Sequence, residues 1–183
     1  AGIRTVPPVC LRKHEFENDA KACEERVLRE FPLPFFVKPA NAGSSVGVHK
    51  VKKREDLHEA LADAFSFDLK VLIERAVDAR ELECSVLGNE NPKVSVIGEA
   101  IPHHEFYDYS AKYLDESGVS FEIPAKNVPA KIEEQLKTWA LTAFRSLECR
   151  GMARIDFFLD RKTGELFLNE INTIPGFTQV SMY

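Results

Sequence analysis

The chain has 183 residues, 44% of them hydrophobic and 29% charged, which is enough for one large globular domain or two small ones. A formal net charge of -5 argues against a surface that binds nucleic acid, and no apolar run approaches the roughly 18–20 residues needed to span a membrane. The four cysteines are widely spaced with no CxxC pair, so we expect reduced structural thiols rather than a metal site or a disulfide framework.

The first part of the chain predicts a small α+β lobe. Helices are expected over 19–30 and 57–65, and strands over 3–12, 35–39, 48–51 and 70–77. Two prolines interrupt the first of these strands. Residues 40–47, between the second and third strands, are rich in glycine and serine and are called the glycine-serine loop below.

The second part predicts a largely antiparallel sheet backed by one long helix. Strands are expected over 80–87, 94–99, 119–123, 152–159 and 165–172. The helix begins at Pro129, and the apolar stripe predicted for it consists of Ile132, Leu136, Trp139, Ala140, Ala143, Phe144 and Leu147. We expect the boundary between the two lobes near residue 75.

The stretch 151–176 predicts a β-hairpin with two acids on one face. The side chains expected to share that face are Arg154, Asp156 and Phe158 on the first strand, and Leu168, Glu170 and Asn172 on the second. A register in which Asp160 pairs with Leu166 sets two pairs of these residues opposite each other: Asp156 with Glu170, and Arg154 with Asn172.

The chemistry of this face indicates a cation site. Directly opposed residues have Cβ atoms about 4.5–5.5 Å apart, and two carboxylates that close repel each other unless a cation lies between them. Two carboxylates and an amide oxygen suit Mg²⁺, which usually completes its shell with phosphate oxygens. Arg154 beside them suits a phosphoryl group or an anionic transition state. The alternative is an exposed face with ordinary charges, but its continuation into the turn 172–177 favours a substrate site.

Other residues are candidates for nucleotide binding. Lys38 ends an apolar strand directly before the glycine-serine loop, whose backbone N–H groups and serines suit phosphate oxygens. A plain flexible turn is the alternative there, because the Walker pattern is absent. Glu74 and Glu81 flank the link 75–80, where a backbone edge suits adenine and a glutamate suits ribose. Either glutamate is alternatively a solvated surface charge.

The long polar loop over 103–118 predicts a lid. It contains three tyrosines, and Lys112 and Tyr113 lie near its end. Aromatic and basic residues on such a loop suit closure over a nucleotide, and a tyrosine-rich surface loop is the alternative.

Together these motifs resemble the D-alanine–D-alanine ligase family, whose members have the α+β ATP-grasp fold. The stretches that match in order are FVKPANAGSSVGV, VLIERAV, RELECSVLGN, FYDYSAKY, GMARIDFFLD and LNEINTIPGFTQVSMY. The resemblance implies a small central lobe over 1–75 and a C-terminal lobe over 76–183 that carries the metal-binding hairpin. It also implies ATP-dependent joining of two D-alanines for peptidoglycan synthesis: ATP converts the first carboxylate to an acyl phosphate, which the amine of the second D-alanine attacks.

The resemblance implies a role for individual residues. Those expected to bind ATP are Lys38, Ser45, Glu74, Val77 through its backbone, Glu81, Phe106, Lys112, Phe158 and Asn169. Those expected to hold two Mg²⁺ or Mn²⁺ ions are Asp156, Asn172 and the bridging Glu170. Those expected to act in catalysis are Ser44 on the closing loop, Tyr113, Arg154 and the Gly176 backbone at the tetrahedral intermediate, and Ser181, which with Met182 positions the second D-alanine.

Two other functions remain open as alternatives. One is a D-alanine–D-lactate ligase, in which a histidine takes the place of Tyr113; a tyrosine hydrogen-bonded to Ser44 favours the dipeptide-forming enzyme. The other is a nucleotide-binding ATP-grasp module without ligase activity. Because the family's N-terminal domain and C-terminal helix are not matched, we expect a fragment that is inactive alone, taken from a cytoplasmic protein that forms a homodimer at full length.

Overall fold

The computed structural model describes residues 2–43, 45–103 and 119–177. They form two compact units, of which the first is Val6–Ala76. The second comprises the described residues of Ala1–Thr5, Val77–Ile101 and Val119–Tyr183. Each unit has one sheet and its own hydrophobic core. None of the helices in these described ranges is long and apolar enough to cross a bilayer.

The first unit is a four-stranded antiparallel sheet with helices. Its elements in chain order are β1 (Val9–Arg12), α1 (Lys13–Asn18), α2 (Ala20–Glu30), β2 (Phe35–Pro39), β3 (His49–Val51), a 3-10 turn (Arg54–Asp56), α3 (Leu57–Phe67) and β4 (Lys70–Arg75). The strand order is β1-β4-β2-β3. The strand predicted over 3–12 is reduced to β1, because Pro7 and Pro8 lack the N–H groups that a ladder needs.

The helices α2 and α3 cover one face of this sheet. Phe35 and Val37 of β2 and Ile73 of β4 are fully buried beneath them. Side chains that alternate with these point to the opposite face, where Lys38 and Glu74 are only partly buried. The alternation on β2 and β4 therefore leaves both candidate nucleotide-binding residues on the uncovered face.

The second unit is a six-stranded sheet backed by one long helix. Its elements are β5 (Ala79–Leu87), β6 (Lys93–Val94), β7 (Gly98–Pro102), β8 (Val119–Glu122), α4 (Ala130–Ser146), β9 (Met152–Asp160) and β10 (Leu166–Asn172). The strand order is β10-β9-β5-β7-β8, and β6 pairs with β5. The central strand β9 pairs antiparallel with β5 and with β10.

The core of the second unit lies between the sheet and α4. Leu136, Ala140 and Phe144 of α4 are buried against the sheet residues Leu82 and Ile155, among others. Because side chains alternate along each strand, the other face of β5 and β9 carries the polar residues between them. This outer face is the candidate active site.

Two local predictions in this unit are wrong. The strand predicted over 94–99 is two short strands, β6 and β7. The regular ladder with β5 ends at Ser95: its N–H donates to the Ser85 carbonyl, but the Ser85 N–H donates to the Ser95 hydroxyl instead of to a backbone carbonyl. Leu147 was assigned to the apolar stripe, but the helix ends at Ser146 and Leu147 is 65% exposed. A period of 3.6 applies only where the backbone is helical.

Candidate active site

The hairpin of β9 and β10 brings together the two acids that the sequence paired. Near the turn, Leu166 pairs with Leu159 rather than with Asp160, so the predicted starting register is wrong. Between Leu168 and Glu170 the register shifts by one residue at a β-bulge. Past the bulge, Asp156 lies opposite Glu170 as predicted.

The bulge also changes which side chains share a face. Leu168 pairs with Phe157 and packs against the hydrophobic core, so the prediction that it shares a face with Glu170 is wrong. The register shift comes at Asn169, which lies between Leu168 and Glu170. Leu168 packs into the hydrophobic core, and the extra residue of the bulge places the Glu170 side chain on the opposite, polar face.

A third acid joins the pair on the neighbouring strand. Glu83 of β5 is the register partner of Asp156, which is itself the partner of Glu170. A row of three carboxylates therefore crosses β5, β9 and β10. The row beside it consists of Ser85, Arg154 and Asn172. Glu83 was not among the predicted site residues, although it lies between the buried Leu82 and Cys84 of β5 and so points to the opposite, polar face.

Arg154 supplies the positive charge for this row. Its Nε and one terminal nitrogen donate to the two carboxylate oxygens of Asp156, each at 2.8 Å. Its Nε also lies 3.0 Å from Glu83 Oε2, and the terminal nitrogen lies 3.9 Å from Glu170 Oε1. One guanidinium thus serves three carboxylates, and the cluster retains an excess of negative charge.

Burial and this excess charge move the pKa values of the cluster. Burial, followed by the negative charge of Asp156, raises the pKa of Glu83 well above its ordinary value. Burial also raises the pKa of Asp156, against the opposing effect of its hydrogen bonds from Arg154. Burial alone would lower the pKa of Arg154, but its hydrogen bonds to Asp156 and the surrounding carboxylates raise it, so the guanidinium stays charged. The raised pKa values mean that these carboxyl groups favour binding a proton or a metal cation.

The donor set fits a hard divalent cation that also takes ligands from a bound molecule. Asp156 and Glu170 offer carboxylate oxygens, and each oxygen of Asp156 keeps a second lone pair beyond its bond with Arg154. Asn172 Oδ1 accepts a hydrogen bond from the N–H of Ile174 at 3.1 Å and has a second lone pair. Within the described residues, no three His, Cys, Asp or Glu side chains form a metal cluster by themselves. An ion here would take Asn172 and further oxygens besides the described carboxylates.

The candidate nucleotide residues of the first unit are in direct contact. Lys38 Nζ lies 2.8 Å from Glu74 Oε2, and both side chains are at most one-quarter exposed. The glycine-serine loop follows Lys38, and its Ser45 and Gly47 have positive φ angles of 58° and 68°. The loop therefore turns sharply at Ser45 and Gly47, shortly before β3 begins, as a phosphate-binding loop would.

Two other predicted residues of the second unit, Glu81 and Phe158, lie beside the acidic row. Phe158 is two residues beyond Asp156 on the same face of β9, and its register partner on β5 is Glu81. Val77 lies just before β5 and is partly buried, and Gly176 lies beyond β10. Glu81 and Phe158 thus share the polar face with the candidate metal ligands.

Comparisons with known proteins assign the family. The family model described as D-ala D-ala ligase C-terminus matches residues 1–183. The chain belongs to this family.

Individual D-alanine–D-alanine ligases are similar over the whole chain. This chain is 48% identical over 183 residues to the D-alanine–D-alanine ligase of Prosthecochloris aestuarii and 52% identical over 183 residues to that of Thermoanaerobacter sp. strain X514. The chain spans about half the length of these curated relatives, 50% in each case.

Solved structures from the same group share the fold. The VanG D-Ala:D-Ser ligase from Enterococcus faecalis has a TM-score of 0.82 at 33% identity, covering 100% of this chain and 51% of that one. The D-alanyl-alanine synthetase A of Vibrio cholerae has a TM-score of 0.84 at 35% identity, covering 98% of this chain and 54% of that one. The family recognised from the sequence and its α+β ATP-grasp fold class are confirmed.

Several predicted residues of this D-alanine–D-alanine ligase family chain lie outside the described residues. They are Ser44, Phe106, Lys112, Tyr113, Ser181 and Met182, together with most of the predicted lid over 103–118. Their roles stay predictions.

Proposed function

We propose that this chain forms the ATP-binding and metal-binding part of a D-alanine–D-alanine ligase. In this proposal the protein to which it belongs phosphorylates one D-alanine to an acyl phosphate and lets the amine of a second displace the phosphate. The observation that carries the proposal is the row of Glu83, Asp156 and Glu170 across adjacent strands, with one guanidinium for three carboxylates. Like charges directly opposite each other destabilise a sheet, so such a row indicates a cation-binding function.

The residues of the first unit bind the nucleotide in this proposal. Lys38 contacts the phosphates, and the glycine-serine loop, with Ser44 and Ser45, covers them. Glu74 orients Lys38 through their 2.8 Å ion pair and shares in binding adenine and ribose with Val77 and Glu81. A lysine already paired with a carboxylate is held in one place, which lowers the entropic cost of binding.

The residues of the second unit hold the metal and stabilise charge. Asp156, Glu170 and Asn172 would hold two Mg²⁺ or Mn²⁺ ions, with Glu170 as a ligand of both, while Phe158 and Asn169 would line the nucleotide side. The ions, when bound, neutralise the charge of the triphosphate. Arg154 remains charged and, with the N–H of Gly176, stabilises the negative charge of the tetrahedral intermediate.

The residues outside the described ranges complete the site. In the proposal Phe106 packs beside the nucleotide, Lys112 contacts phosphate, and Ser181 positions the second D-alanine. A hydrogen bond between Tyr113 and Ser44, which the family resemblance implies, would favour an amine over a hydroxy acid as the second substrate. We further propose that the full-length protein is a cytoplasmic homodimer.

Substrate-dependent phosphate release tests the proposed function. Full-length protein with ATP and a divalent ion should release phosphate only when D-alanine is present, with D-alanyl-D-alanine as the product. Release that needs D-lactate or D-serine as the second substrate would assign a different ligase. Binding of Mg·ATP that Asp156→Ala abolishes, with no turnover on any amino acid, would assign a nucleotide-binding module.

A further inference from the structure

The corner between α3 and β4, Phe67–Lys70, touches both ends of the glycine-serine loop. Asp68 lies 27 residues after Asn41 at the beginning of the loop, and Phe67 lies 20 residues after Gly47 at its end, and neither the motifs nor the proposed function accounts for these contacts. All of these residues belong to the first compact unit.

The beginning of the loop is held by hydrogen bonds. The backbone N–H and the side-chain amide of Asn41 both donate to the same oxygen of Asp68, each at 2.8 Å. The N–H of Ala40 donates to the carbonyl of Lys70 at 2.9 Å, and the N–H of Lys70 donates to the other oxygen of Asp68 at 3.2 Å. Asp68 therefore links the beginning of the loop to the first residue of β4.

The end of the loop is held by packing. Gly47 has a φ of 68°, and a Cβ added to it would lie 2.5 Å from Cδ2 of Phe67 and 3.0 Å from Cγ of Pro39. The Phe67 ring therefore lies directly on the Gly47 backbone. Phe67 is nevertheless 51% exposed and does not belong to the hydrophobic core. The ring of Phe67 packs against the loop and not into the hydrophobic core.

Asp68 is suited to hold the loop across the physiological pH range. Burial alone would raise its pKa, but the hydrogen bonds donated by Lys70 and Asn41 lower it below its ordinary value. Hydrogen bonds to an ionised carboxylate are stronger than those between neutral groups. The anchor at the beginning of the loop is therefore charge-assisted.

We propose that Asp68 and Phe67 are positioning residues that fix the two ends of the glycine-serine loop in the shape that receives the nucleotide phosphates. The inference rests on the proposed function for the part that concerns phosphate. A loop with two glycines loses much conformational freedom when it closes on a ligand. Anchoring both of its ends in the nucleotide-free protein reduces that loss, so that more of the contact energy appears as affinity.

The test combines amide hydrogen exchange with nucleotide binding in the full-length protein. In Asp68→Ala and Phe67→Ala, exchange across residues 40–47 without nucleotide should rise about tenfold or more, the effect of losing the charge-assisted hydrogen bonds of Asp68 or the packed contact of Phe67. The Kd for Mg·ATP should rise by about the same factor. Asp68→Asn keeps one acceptor oxygen and should show a smaller change in both measurements.

Two variants serve as matched controls. Asp19→Ala removes another aspartate of the same unit that accepts a backbone N–H, that of Ala22 at 3.0 Å, away from the loop. Leu69→Ala removes another exposed apolar side chain of the same corner, one that is 70% exposed. Both should leave loop exchange and the Kd for Mg·ATP within twofold of the unaltered protein, even if Asp19→Ala lowers the melting temperature.

The outcomes separate this inference from the proposed function. Unchanged loop exchange in Asp68→Ala and Phe67→Ala would overturn the anchor. Faster loop exchange with an unchanged Kd for Mg·ATP would show an anchor without a role in phosphate binding, and would overturn the inference while the proposed function stands. Unaltered protein that binds no Mg·ATP would overturn the proposed function, and with it the phosphate role given to the anchor.

Discussion

The two candidate sites differ in how their charges are balanced. In the first unit, Lys38 Nζ lies 2.8 Å from Glu74 Oε2, and hydrogen bonds and packing hold the loop beside it. In the second unit, one guanidinium serves the carboxylates of Glu83, Asp156 and Glu170. Among the described residues, the first site balances its own charge, whereas the second carries negative charge that a ligand must neutralise.

This difference indicates which partner each site requires. A balanced lysine–glutamate pair with a backbone loop suits an anion, because backbone N–H groups attract phosphate oxygens without adding net charge. A row of excess carboxylates suits a metal cation. The two sites are thus complementary to the two components of a metal–nucleotide complex, and the following variants would break or sharpen the contrast.

The largest effect is expected from Asp156→Asn. The substitution keeps the size of the side chain but removes the charge at the centre of the acidic row, so turnover should fall about 100- to 1000-fold. Steady-state kinetics of the full-length protein with saturating ATP measures this. Asp160→Asn is the matched control, because Asp160 is also buried at the end of β9 but accepts the N–H groups of Lys162 and Thr163 in the turn. An equal loss in both variants would contradict the assignment.

The next largest effect is expected on the free energy of unfolding of Arg154→Ala. Removing the guanidinium leaves Asp156 and Glu83 as buried carboxylates without their counter-charge, which should lower the free energy of unfolding by about 3 kcal/mol. Urea unfolding without metal measures it, and added Mg²⁺ should restore part of the loss. Arg161→Ala removes an exposed partner of Asp78 at 3.7 Å and should cost less than about 1 kcal/mol. Similar costs for the two arginines would show that the row needs no counter-charge.

A smaller effect is expected from Lys38→Met. It should raise the KM for ATP about tenfold, because one charge-assisted contact with phosphate is lost. The KM for D-alanine should change by less than twofold. Lys53→Met, at an exposed lysine of the same unit, is the control and should leave both values unchanged. A rise confined to the KM for D-alanine would move Lys38 away from the nucleotide.

The smallest effect is a dependence of metal-free stability on pH. Folding raises the pKa values of Glu83 and Asp156, so the folded protein binds protons more tightly than the unfolded chain does. This stabilisation is fully present below the ordinary carboxyl pKa of about 4 and is lost as the pH rises through the raised values. Melting temperatures over this range should fall with pH, by less in Glu83→Gln. A melting temperature that rises throughout would contradict the pKa directions.

Local pattern was enough to locate most elements and the pair of acids. An apolar run located β2, and alternation between buried and polar residues located β5 and the hairpin, which have one face on a core and one face away from it. The pairing of Asp156 with Glu170 was predicted from a register that is wrong near the turn. The bulge between Leu168 and Glu170 corrected it, and such a bulge depends on which side chains the core accepts.

Contacts between residues far apart in the sequence could not be predicted from local sequence patterns. Glu83 belongs to the acidic row only because β5 lies beside β9, and strand order is not encoded in periodicity. The contacts of Asp68 with Asn41, 27 residues apart, and of Phe67 with Gly47, 20 residues apart, were missed for the same reason. Leu147 was assigned to the core because its spacing fits a helix that in fact ends one residue earlier.

The most direct measurement is the position of Mn²⁺ in crystals of the full-length protein grown with ADP and Mn²⁺. Anomalous difference maps should show an ion about 2.1 Å from carboxylate oxygens of both Asp156 and Glu170, with Asn172 beside it. An ion held elsewhere, with Arg154 as the sole partner of Asp156, would contradict the claim that the excess charge of the acidic row exists to bind a metal.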